Sequence, residues 1–201
     1  MSRYPHPPSL PPHLPTVDWA EPLFRVHRAT CGPVWFGREG LSRFDDPQRS
    51  YGVLYAGEDL PVAYLECVRL HAAPGHAAPV GPMLSWLWCR AWSVLLPTRS
   101  LHLVDLAGQQ AALRIPGEVM SGPEEGYIQS QSWSRCFFEH PGHVDGILYR
   151  ARHDLSRRSV ALFGRDVEGL ITPVQTTGFG DDPDLTLDLI EACGHLPVPD
   201  A

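Results

Sequence analysis

Leu23 to Arg28, LFRVHR, alternates apolar and polar side chains and predicts a first strand with Arg25 and His27 on one face. A glycine-bearing loop from Cys31 to Leu41, the tripeptide Ser42-Arg43-Phe44 and the turn residues Asp45, Asp46 and Pro47 separate it from a second strand over Tyr51 to Ala56. A helix follows at once. Asp59 is its predicted N-cap, Pro61 lies in its first turn, and Val62, Leu65, Val68 and Leu70 recur at helical spacing. Glu66, four residues after Val62, falls at or beside that apolar stripe. A carboxylate buried there costs about 3 kcal/mol or more unless a cation or hydrogen-bond donors meet it. The pattern therefore marks Glu66 as either a structural ion-pair partner or a working group.

Beyond a linker at residues 71–82, Leu84 to Leu95 places Trp86, Trp88 and Trp92 at even spacing and predicts one long strand with the three indoles on one face. Leu101 to Leu106 predicts a further strand and Ala107 to Leu113 a short helix ended by Pro116-Gly117. Gly126 to Glu139 has a near-helical period in Ile128, Trp133, Cys136 and Phe137. Gly146 to Ala151 and Ser159 to Gly164 predict a strand pair around the turn Asp154 to Arg158, and Leu185 to Cys193 a closing helix. This mixed order predicts an α+β fold, with mixed or antiparallel sheets and flanking helices, rather than a regular βαβ wrap. Residues 1–22 carry Pro5, Pro7, Pro8, Pro11, Pro12, Pro15 and Pro22 and predict an arm that is neither helix nor central strand, leaving 23–201 as a single domain.

Composition narrows the function. A net charge of −7 over 201 residues, with no dense basic face, argues against direct nucleic-acid binding. The five cysteines, Cys31, Cys67, Cys89, Cys136 and Cys193, form no CxxC pair and read as reduced thiols. No basic-then-apolar leader is present, and the apolar stretch Met83 to Leu96 is short and interrupted by Arg90, so the expectation is a soluble, cytoplasmic protein that does not use a membrane. The histidines, among them His71, His76, His140 and His143, form no HExxH, which predicts no metal site. Neither a Walker loop nor a GxGxxG after a strand exists, and Ser134 lacks the flanking glycines of a nucleophile elbow.

What remains is a dispersed polar set in a definite order, and it resembles the RES-domain family, toxins of bacterial toxin–antitoxin pairs. The resemblance lies in Leu23-Phe24-Arg25-Val26, Ser42-Arg43-Phe44, Leu54-Tyr55-Ala56 with Tyr64-Leu65-Glu66, Trp133-Ser134, and Asp145-Gly146-Ile147-Leu148-Tyr149-Arg150, and covers about residues 23 to 165. Two positions depart from the family pattern: Ser42 stands where a glycine is usual, and Val26 where some members carry tyrosine.

The resemblance implies an ADP-ribosyltransferase-like fold and consumption of NAD as substrate by cleavage of the nicotinamide–ribose bond, with inorganic phosphate or water as acceptor and no further cofactor. It implies Glu66 as the carboxylate that stabilises an oxocarbenium-like ribose. Arg25 and Arg43 become anchors for the pyrophosphate, which arginine forks suit. Tyr55 becomes a stacking surface for nicotinamide or ribose, and Ser134 a group that hydrogen-bonds the amide or positions the acceptor, catalytic together with Arg25 and Glu66. It also implies a helix-turn-helix antitoxin as partner and leaves homo-oligomerisation open. Each role has a plainer rival: Arg25 and Glu66 neutralising one another in the core, Tyr55 as core, Ser134 as a helix-surface hydroxyl, and Arg43 bound to a loop carbonyl or Asp45. ADP-ribosyl transfer to a protein, or a silent binding module, also remains open at this level.

Overall fold

In the computed structural model, which describes residues 10–68, 80–117, 119, 127–165 and 169–198, the period-two segments assemble one eight-stranded mixed sheet. Its strands are β1 (Thr16–Trp19), β2 (Leu23–Arg28), β3 (Val53–Gly57), β5 (Arg90–Pro97), β6 (Leu101–Asp105), β7 (Gly146–Arg150), β8 (Arg158–Phe163) and β9 (Ile171–Gly178), in the order β1-β6-β7-β8-β3-β2-β5-β9. The β6–β7 pair is parallel and the others are antiparallel. A two-stranded parallel sheet joins β4 (Val80–Met83) to β10 (Leu196–Val198). The described helices are α1 (Leu60–Cys67), α2 (Leu84–Trp88), α3 (Leu106–Gln109), α4 (Tyr127–Glu139) and α5 (Pro183–Ala192). Pro5, Pro7, Pro8, Leu70, linker positions 71–79 and Gly126 lie outside the described residues.

The central strands are buried on both faces because alternate side chains feed different cores. Val53, Ile147, Tyr149, Ala161 and Phe163 pack with Trp133 and Phe137 of α4, while Leu54, Leu148, Val160 and Leu162 pack on the opposite face with Leu23, Leu95 and Leu103. A third cluster joins Tyr64 of α1 and Trp92 of β5 to Leu189 and Ile190 of α5. Gly146 allows β7 to lie against β8: a Cβ there would stand 2.3 Å from the Ala161 carbonyl oxygen. Gly146→Ala is therefore expected to destabilise the fold by about 1–3 kcal/mol, the usual cost of overpacking, read as a lower midpoint in urea unfolding.

The tryptophan-bearing stretch is not one strand. Leu84 to Trp88 turns as a helix and the strand begins only at Arg90, whose Nη1 donates to the Trp86 carbonyl at 2.6 Å and whose guanidinium lies 3.2 Å from the Trp86 ring centre. Trp92 alone of the three is buried. Even spacing failed here because one helical turn is too short for its period to show. The proline-rich arm contributes β1 at the sheet edge, where proline-flanked strands are tolerated, and Leu10 and Leu14 pack against the core. β9 escapes the alternation rule because it is the opposite edge, with Thr172 to Thr176 exposed.

One irregularity matters for function. β2 and β3 are neighbours in the sheet yet pair only at Phe24 and Gly57, so beyond that pair the strands diverge. The sheet opens into a cleft there.

Candidate active site

A cavity of about 640 Å³ occupies this split, within the range of small-molecule sites. Arg25 and Val26 of β2 form one wall, Tyr55 and Ala56 of β3 the other. Ala63, Glu66 and Cys67 of α1, Ser42 and Arg43 of the loop before β3, and Tyr127, Tyr149, Arg152 and His153 complete it.

Glu66 reaches the cavity because α1 starts at the end of β3. Asp59 caps the helix by accepting from the Val62 N–H at 2.9 Å. Val62, Ala63 and Tyr64 are buried, but Glu66 is exposed, contrary to its expected place on the apolar stripe. The reason is the split: where β2 and β3 separate, there is no sheet surface for that part of the helix to cover. Its carboxylate is held by donors, not by Arg25. Oε1 accepts from the Arg152 backbone N–H at 2.6 Å and Oε2 from the Tyr149 hydroxyl at 3.5 Å. Arg25 instead donates from Nη1 to the Trp35 carbonyl at 2.8 Å. Burial lowers the Arg25 pKa to about 10, with Cys67 and Cys31 opposing, so it stays cationic at neutral pH.

Arg43 is the unusual group. It is only 7% exposed, and its Nε and Nη1 are buried without a hydrogen-bond partner. The nearest aromatic support is Tyr127, whose ring centre lies 5.8 Å from the guanidinium carbon. Asp45 does not neutralise it, because that carboxylate accepts from the backbone N–H groups of Leu41 and Ser42, both at 3.0 Å, and from the Tyr55 hydroxyl at 2.9 Å. Leaving a buried cation unpaired is costly, and an anion in the cavity would relieve it.

Tyr55 presents its ring to the cavity while its hydroxyl organises the Arg43 loop, donating to Asp45 and accepting from the Phe44 N–H at 2.9 Å. Burial, then the neighbouring Asp45 carboxylate, pushes its pKa well above the usual phenol range. Ser134 does not line the cavity. It is fully buried and donates to the Phe44 carbonyl at 2.6 Å, next to Gln131, whose Nε2 donates to the Gly40 and Ser42 carbonyls at 3.0 and 2.9 Å. Both hold the Arg43 loop against α4. Ser134→Ala is expected to cost about 1–3 kcal/mol by orphaning that carbonyl, and to weaken ligand binding without abolishing turnover. Complete loss of turnover at unchanged melting temperature would return Ser134 to the reaction itself.

Sequence reasoning did not single out Tyr127, Arg152 or His153. Arg152 couples two walls, its backbone N–H on Glu66 and its Nη1 donating to the Tyr127 hydroxyl at 3.1 Å. The Asp145 to Arg150 strand pointed to this end of the chain, but no local signal separated the residues just after it from loop surface. The result is a cavity of mixed lining with three arginines and one carboxylate, suited to an anionic ligand carrying a positive centre.

The comparisons with known proteins bear on the fold and the family. No curated protein matches. A chain of the crystal structure of the M. tuberculosis MbcT–MbcA toxin–antitoxin complex superposes with a TM-score of 0.58 at 19% identity, covering 81% of this chain and 85% of that one. This likeness bears on fold alone, and supports the α+β architecture of a mixed sheet with flanking helices. The model of the RES domain matches residues 22–188, nearly the whole sheet together with every cavity-lining residue, and on that match the chain belongs to the RES-domain family.

Proposed function

We propose that the cavity binds NAD and that the protein breaks its nicotinamide–ribose bond. The observation that carries this reading is the buried Arg43 guanidinium, whose Nε and Nη1 have no hydrogen-bond partner, in the same cavity as the fixed carboxylate of Glu66. NAD is a ligand with the matching charges: a pyrophosphate for Arg43 and Arg25, and a ribose that becomes cationic as nicotinamide leaves. Guanidinium forks bind phosphate oxygens in pairs, and the cavity's cations are all arginine. Glu66, oriented by the Arg152 N–H, places negative charge where the oxocarbenium develops and works without reorganising at the moment of reaction. Tyr55 offers a ring face for nicotinamide or ribose.

The biological reading follows the family. The protein acts in the cytoplasm as the toxin of a toxin–antitoxin pair, restrained by a helix-turn-helix antitoxin, and meets DNA only through that partner. The structural neighbour was crystallised as a toxin–antitoxin complex, which supports an antitoxin partner. Incubating the purified protein with NAD, with and without inorganic phosphate, and following free nicotinamide tests the chemistry. Release is expected. No release under either condition, beside an active control enzyme, would overturn the reading, and label on a protein band would redirect it to ADP-ribosyl transfer.

A further inference from the structure

His153 stands in the cavity wall without an assigned role. It follows Arg152, whose N–H holds Glu66, and its imidazole makes no hydrogen bond to any described residue. The other cavity groups able to exchange a proton are committed or poorly matched to the task. Glu66 is oriented by the Arg152 N–H and the Tyr149 hydroxyl and, in the NAD reading, is given to the ribose cation, the Tyr55 hydroxyl already donates to Asp45, and the Tyr127 hydroxyl, which accepts from Arg152, is a phenol and a poor base at neutral pH. Burial pushes the Cys67 thiol up, so it stays protonated, although Arg90 and Arg25 oppose the shift.

We infer that His153 is the base that takes the proton of the attacking nucleophile, and that this nucleophile is water. The inference rests on the reading that the cavity cleaves NAD. Inorganic phosphate attacks as an anion and needs no base, whereas water must lose a proton as it adds. In the step, a lone pair of the water oxygen forms the bond to the ribose anomeric carbon while the carbon–nitrogen bond breaks. Its electron pair neutralises the pyridinium nitrogen, nicotinamide departs, and the water proton passes to the His153 imidazole. ADP-ribose and nicotinamide are the products.

The surroundings favour the neutral imidazole. His153 is solvent-exposed, but the partial desolvation it meets in the cavity wall lowers its pKa below the ordinary histidine value; Glu66 from α1 acts in the opposite direction, and Arg152 from its own loop and Arg43 from the loop before β3 lower it further. His195, buried with Nδ1 3.1 Å from the Tyr64 hydroxyl, is a further titratable group that interacts with it electrostatically. A base works only when deprotonated, so activity persists down through the ordinary histidine range and falls as pH drops below the lowered pKa.

The test measures nicotinamide release from NAD, without phosphate, across about pH 5 to 8 for the wild type and His153→Asn. The variant is expected to lose about 100-fold or more in rate and to lose the fall toward acid. Sodium azide, an anion with no proton to give up, is expected to restore the variant's turnover and form ADP-ribosyl azide, detected by mass. Melting curves accompany each protein, and His153→Gln replaces His153→Asn if the latter unfolds. A variant with wild-type rate and acid limb would overturn the inference, as would a wild-type profile flat below the histidine range. Nicotinamide release that strictly requires phosphate would overturn water as acceptor while leaving NAD cleavage intact. No release by the wild type under any condition is instead the failure of the NAD reading itself.

Discussion

Glu66→Gln is expected to cut NAD turnover by about 100- to 1000-fold, the cost of removing one preorganised electrostatic group facing developing charge. The substitution keeps volume, and the glutamine carbonyl still accepts from the Arg152 N–H that holds Oε1. Melting temperature should therefore stay near the wild-type value, because the side chain is exposed and makes no ion pair with Arg25. The split between kcat and KM is informative: an interaction made only in the transition state lowers kcat with little change in KM. Unfolding of the variant would instead make Glu66 a structural acid.

Arg43→Met should move stability and function in opposite directions. In the free protein this guanidinium is buried with two nitrogens unpartnered, so an apolar side chain of similar length is expected to raise stability, within the ~1–4 kcal/mol seen when buried charges are replaced by packed apolar groups. The same change removes the anion anchor. Saturating NAD should raise the melting temperature of the wild type, by about 2.7 kcal/mol of added stability at 100 times the Kd, and leave that of Arg43→Met unmoved. The pair of shifts separates a ligand-binding cation from a structural one. A structural arginine would destabilise on removal, and an unchanged NAD shift in the variant would place the pyrophosphate elsewhere. Such destabilised groups are kept where activity requires them.

Much of the fold was legible from local pattern. β2, β3, α1, α4, the β7–β8 pair and α5 fall where period and turn residues place them, because each buries a face against the sheet and its apolar positions must match its own repeat. The edge strands β1 and β9 were not legible as strands, since one lies among prolines and the other is solvated along most of its length. Leu84 to Trp88 was misassigned because alternation and a single helical turn look alike over five residues.

The site divides in the same way. Arg25, Arg43, Tyr55 and Glu66 do meet in one cavity, whereas Ser134 lies behind it as a support for the Arg43 loop. Sequence alone determined most of the central elements, the fold class and the family whose order of polar residues they share, because those are properties of neighbours along the chain. Tertiary structure alone decided that Glu66 faces open space, that Arg43 Nε and Nη1 are buried without a hydrogen-bond partner, and that Arg152 and His153 join them. Those outcomes follow from the single pairing of Phe24 with Gly57, after which β2 and β3 part and leave a cleft where the helical pattern anticipated a packed face.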